Sequence, residues 1–273
     1  GNGTLKAELD AVDEDKSYLD KLSNMAAFML TTFNAQHKAG AGIDTDATTG
    51  LNFYGAADTA YMWDETNQCV NVASQTVTKT TTSGTTTVEV NTGAVSTTLK
   101  GLNIIDALKV NSQLTATNGE NLVAARGITY STTNVTMYTT ASTDVTYTVS
   151  DTNGTADGSN ATLMSALFNS TKANTVDTTS SRSIGDVSLE NYYNAAMSTL
   201  GVDSEAMTSS VSSQTDVMTQ ITNWRSSTSG VNWNEELTNM IKFQQGYSAC
   251  SRCLTTMDEM LDKLINSTGT VGR

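Results

Sequence analysis

Eight positions near the end of the chain recur at spacings of 3-4-3-4-3-4-3: Met240, Phe243, Tyr247, Cys250, Leu254, Met257, Leu261 and Leu264. That is a heptad seam, the pattern by which one helix lies along another. The surrounding segment, 234–266, has no proline and a single glycine, Gly246. As a helix it would be roughly 50 Å long. Burying the eight side chains is worth on the order of 12–24 kcal/mol before entropy is subtracted. The seam therefore requires a partner.

A second helical pattern opens the chain. Leu5, Leu9 and Val12 begin a stripe, and Leu19, Leu22, Ala26, Met29 and Phe33 continue it after a change of phase near Lys16. The spacing predicts a helix over 4–38, with Thr4 as N-cap, acidic residues in its first half and Gly40 as its stop. From 39 to 160 the helical period disappears and Thr, Ser, Asn and Gly dominate. Alternating β-branched and aromatic runs at 85–90, 135–139 and 145–149 predict strands, and a short helix is expected around 104–110. From Ala161 helical spacing returns: a short apolar turn at Leu163, Met164, Leu167 and Phe168, a helix over 188–200 broken by Gly201, and a second over 204–227. In the latter, Met207, Val211, Met218, Ile221 and Trp224 share one side. Gly230 breaks the chain before the final helix.

These patterns predict an elongated α+β protein. Residues 1–40 and 161–230 form two parts of a helical domain, 41–160 a Thr-rich inserted β domain of sandwich or barrel type, and 231–273 a long coiled-coil helix and tail. The N- and C-terminal helices are expected to pack as a bundle, with the β domain projecting from their joint.

Composition narrows the function. The chain has 273 residues, 38% of them hydrophobic and only 6% aromatic, a lean core for a compact enzyme. A net charge of −13 and a pI near 4.3 repel phosphate backbones, so no nucleic-acid partner is expected. No apolar run approaches a membrane span, so no membrane partner is expected either. The opening GNGTLKAEL has no initiator Met, basic region or apolar core, and reads as a cut inside a longer protein rather than a signal peptide.

Candidate chemistry is sparse. His37 is the sole histidine, too few for a two-histidine zinc site, and is expected to be a helix-end residue with local hydrogen bonds. Cys250 and Cys253 fit C-x-x-C but fall in mid-helix, away from a thiol-activating N-terminus, and read as small buried hydrophobes. Two Asp-rich loops, at 44–50 and 151–157, lack the EF-hand glycine and glutamate and read as Asx turns. The methionines on the helical stripes read as core and interface filler. No nucleophile, base and orienting group can be assembled. No catalytic residue, cofactor or metal is expected.

The C-terminal residues carry a resemblance. Gly230-Val231-Asn232, then Glu235-Glu236, Gln244-Gln245 and Tyr247, are similar to the C-terminal helix of flagellar axial proteins. The continuation 257–266, with Phe33-Asn34-Ala35-Gln36-His37 and Asn52-Phe53-Tyr54 near the front, is similar to the hook-associated protein 1 family of the hook–filament junction. Trp233-Asn234 stands where that family usually has Leu-Asp, and Gly246 where it usually has Ala. The resemblance implies a structural, non-enzymatic subunit of the bacterial flagellum, outside the cell. It would be exported by the flagellar type III apparatus without a cleaved signal peptide. Implied partners are neighbouring copies of itself, hook protein, hook-associated protein 3 and an export chaperone on the C-terminal helix. It further implies that an N-terminal helix of the same subunit covers the seam. Without it, residues past about Gln245 are expected to be poorly packed, a loose arm, or to pair with another copy. Two alternatives stay open: another axial protein, hook or flagellin-like, and a surface binding module using the Thr-rich β domain.

Overall fold

A computed structural model describes residues 3–82, 85–128, 145–149, 156–171 and 182–267. The chain opens with helix α1 (Thr4–Phe28), which continues through a π-helical turn (Met29–Phe33) into α2 (Asn34–Lys38). One helical rod thus spans 4–38, as the spacing predicts. Thr4 is its first helical residue, and the cap is the extended backbone of Gly3 with no side-chain bond. The π-helical turn lies where side chains bond back onto the helix: the Thr31 hydroxyl donates to the Ala27 carbonyl at 2.7 Å, and the Asn34 amide to that of Leu30 at 2.8 Å. Such back-bonds loosen the regular ladder.

Strand β1 (Gly40–Ala41) follows, then β2 (Thr59–Asp64), β3 (Cys69–Thr82), β4 (Thr85–Leu99), α3 (Leu102–Ala107), β5 (Arg126–Gly127), β6 (Val145–Val149) and α4 (Ser159–Ala166). β2, β3, β4 and β6 form a four-stranded antiparallel sheet in that order, and β1 pairs with β5. Val70 opposes Leu99 and Thr82 opposes Thr85, and the register shifts beside Ala73. The expected strands at 85–90 and 145–149 are present, while 135–139 lies outside the described residues. The β2 and β3 strands and the part of β4 beyond 90 went unpredicted, because their Thr-rich or continuous apolar sequences lack clean alternation.

The chain ends in two long helices, α5 (Leu189–Ser229) and α6 (Trp233–Ser267). The expected break at Gly201 is absent. One glycine costs about 1 kcal/mol relative to alanine, which the 41-residue α5 absorbs. Gly230 does end α5: a Cβ there would stand 2.0 Å from the Ser226 carbonyl oxygen.

Contacts divide the chain into two compact units, Gly1–Gly201 and Val202–Arg273. In the first, the end of α1 lies between two apolar clusters. Ala26, Ala27 and Leu30 meet Tyr61, Trp63, Val70 and Ile104 of the sheet and α3. Phe28 and Phe33 meet Met164, Leu167 and Ile184. The first half of α1 differs, since Leu9 and Val12 are exposed. In the second unit, α6 has no buried residue.

Candidate assembly interface

All eight seam positions fall on α6, which runs through them without interruption. The seven larger ones are exposed, up to 78% for Phe243 and 80% for Tyr247, and Cys250 is exposed as well. Cys253 is also exposed, so neither cysteine is the small buried hydrophobe that mid-helix placement suggested. The expected loose arm past Gln245 is a continuous helix with a bare apolar side. Exposed aliphatic positions such as Ile241 and Ile265 widen that surface. An exposed apolar stripe of this length is the mark of an interaction surface.

The motif residues build the start of this helix. The Gly230 N–H donates to the Ser226 carbonyl at 2.8 Å and closes α5. Asn232 then caps α6: its side-chain oxygen accepts from the Asn234 N–H at 3.1 Å, and its carbonyl accepts from the N–H groups of Glu235 and Glu236. The two glutamates occupy the first turn, where the helix dipole favours negative charge. Val231, Gln244 and Gln245 are exposed.

The first unit holds a buried polar hub at the end of the 4–38 rod. The Asn34 side-chain oxygen accepts from the N–H groups of Phe53 and Tyr54, each at 2.9 Å, and its amide donates to the Leu30 and Tyr54 carbonyls. The Gln36 amide donates to the Asn160 oxygen at 2.7 Å, and the Asn160 amide returns to the carbonyls of Gln36 and Ala124. Gly40 lets these groups approach: a Cβ there would stand 2.1 Å from the Asn160 nitrogen.

His37 sits at a helix end as expected, but its hydrogen bonds are not local and tie it into this hub. Its Nδ1 lies 2.8 Å from the Leu51 carbonyl, and its Nε2 accepts from the Ala124 N–H at 3.0 Å, across 87 residues of sequence. These partners fix a neutral ring with hydrogen on Nδ1. Burial lowers its pKa from 6.5 to about 4, and the charge of neighbouring Lys38 adds to the fall. Lys38 is buried too and donates to the Gln75 side-chain oxygen. Burial lowers its pKa from 10.5 to about 7. Both His37 nitrogens are thus committed to backbone groups, and the hub fixes the rod to the β region. Sequence reasoning missed it; the one available signal was a cluster of amides at Asn34, Gln36, Asn52, Asn111 and Asn160.

The remaining candidate chemistry is also engaged locally. The Asp44 carboxylate accepts from the Thr48 N–H and hydroxyl at 2.8 and 2.6 Å. Asp157 accepts from the N–H groups of Gly127 and Ser159; residues 151–155 lie outside those described. Among the described residues no group of three or more His, Cys, Asp or Glu could hold a metal ion, and no helix is long and apolar enough to cross a membrane.

Residues 225–267 match the family described as flagellar basal body rod FlgEFG protein C-terminal. The matched segment contains the capping motif and the whole seam. The chain is 35% identical over 88 residues to flagellar hook-associated protein 1 of Bacillus subtilis (strain 168), covering 32% of this chain and 17% of that protein. It is 37% identical over 82 residues to flagellar hook-associated protein 1 of Escherichia coli (strain K12), covering 30% and 15%. These matches span less than a fifth of either relative. No solved structure matches the chain. The chain is thus similar to flagellar hook-associated protein 1, carries a rod- and hook-type C-terminal segment, and has support as a flagellar structural protein.

Proposed function

We propose that this chain is a structural subunit joining flagellar hook to filament. Its α6 seam pairs with an N-terminal helix of the same subunit and packs against neighbouring copies. The helices of both ends form a bundle, and the Thr-rich β region is inserted between them as a projecting sandwich or barrel. Hook protein and hook-associated protein 3 are the neighbours along the axis, and an export chaperone holds α6 before assembly. The subunit works outside the cell after type III export and has no catalytic role.

One observation carries this reading: the exposed heptad seam and the family-matched segment are the same residues, 240–264 within 225–267. A side of α6 left bare in the single chain is what helix pairing in an assembly requires. The test is location. With an epitope inserted between β3 and β4 in the native gene, immunogold microscopy of whole flagella is expected to label the junction alone. Label along the hook or filament would assign the chain to another axial role. Label elsewhere on the surface would favour a binding module.

A further inference from the structure

The apolar side of α6 is broader than one partner helix covers. Lettering the repeat a–g from Met240 puts Met240, Tyr247, Leu254 and Leu261 at a, and Phe243, Cys250, Met257 and Leu264 at d. The g line borders the d line and carries Gly246, Cys253, Met260 and Ser267. None of these is charged and all are exposed, Met260 by 59%. In a two-helix pair the g positions commonly carry charges that flank the seam. Here the charges of the same stretch, Arg252, Asp258, Glu259, Asp262 and Lys263, fall at e, f, b and c, around the rest of the helix. A side built from a, d and g is the pattern of a helix in a bundle, packed against more than one neighbour.

We propose that the g line, centred on Cys253 and Met260, is a second contact line on α6 and that the next copy of this chain occupies it. The inference rests on the assembly role proposed above, which gives the a and d positions to an N-terminal helix of the same subunit. Two observations select a copy as the occupant. Each copy carries a net charge of −13, so copies approach closely only along a line that adds no charge. Of the two lines bordering the seam, e carries Asp258 and g carries no charge. The g line is also continuous with the seam through the d positions, so a helix seated there leaves no bare strip between the two partners. The lines thus divide the work: a and d hold one subunit together, and g joins it to the next. Gly246 and Cys253 leave room for a neighbouring backbone, and the flexible Met260 fills the space that remains.

Met260 supplies the test, because a photoreactive residue of nearly its own shape can replace it. Cells carrying the native gene are fed the diazirine analogue of methionine, and their purified flagella are irradiated. The diazirine loses dinitrogen, and the carbene left behind inserts into a C–H or other X–H bond of the group it touches. A dimer of this chain is expected on denaturing gels, with the cross-link located at Met260 by peptide mass. Met260→Leu keeps an apolar side chain of similar volume. It should lower the dimer yield roughly tenfold, since only a neighbour held in place is captured efficiently. Met240→Leu, at an a position given to the subunit's own N-terminal helix, should leave the yield unchanged. No dimer, a dimer that survives Met260→Leu, or Met260 joined to a different flagellar protein would overturn the contact and leave the assembly role standing. Absence of the chain from purified flagella would overturn the assembly role, and the contact with it.

Discussion

Residues 26–38 and 240–264 are both helical and rich in apolar side chains, yet they do opposite work. In the first stretch Leu30 is 0% exposed, and polar side chains among the apolar ones bond to backbone from other elements. In the second, Tyr247 is 80% exposed and no residue is buried. The difference lies in what surrounds each helix. The first has turned every face inward and uses Asn34, Gln36 and His37 to terminate loops. The second presents an exposed apolar side built on a strict repeat, the form that suits pairing with another helix. Apolar content alone does not separate a folding core from an assembly surface; the periodicity of the stripe and the polar residues interleaved with it do.

The largest effect should come from Leu30→Ala. Leu30 joins Ala27 to Trp63 and Ile104 in a sealed cluster, so truncation should cost about 2–5 kcal/mol in denaturant unfolding. An effect near zero would mean the helix is not held as described. Asn34→Ala comes next. It strands the N–H groups of Phe53 and Tyr54, and a loss of about 1–3 kcal/mol is expected by the same measurement.

Acid should act through His37. The folded ring resists protonation down to about pH 4, whereas the unfolded ring takes up a proton near 6.5. Its contribution is therefore complete above 6.5 and lost as pH falls from 6.5 towards 4, by up to about 3 kcal/mol. His37→Gln should flatten that part of the stability profile. Lys38 acts higher, between its unfolded pKa of 10.5 and about 7, where stability again declines as pH falls. A profile level from 10.5 to 7 would show that the Lys38 environment is not the dry one described.

The smallest effect belongs to the seam. Phe243→Ala should change the unfolding of the packed unit by less than about 0.5 kcal/mol, because the side chain is 78% exposed. A cost like that of Leu30→Ala would erase the contrast between the two helices.

Much of the scaffold was legible in the sequence because its periods are long and clean. The 4–38 rod and the α6 seam follow from spacing, and the 145–149 strand from alternation. Gly201 misled because a breaker's cost is local, while a 41-residue helix is held by every turn on either side. β2 escaped because Ala60, Tyr61, Met62 and Trp63 are all buried, leaving no alternation to detect. The hub was invisible for a related reason. Nothing in the spacing of His37 and Ala124 foretells a bond between them, since only the completed fold brings position 124 beside position 37.

The central claim is that the seam serves assembly and not the chain's own packed unit. Leu254→Asp tests it, with the purified protein melted by calorimetry and the same variant expressed from the native gene for flagellar incorporation. The account predicts a melting temperature for the packed unit within about 2 °C of the parent and no incorporation into flagella. A melting temperature lowered by many degrees, together with normal incorporation, would contradict it.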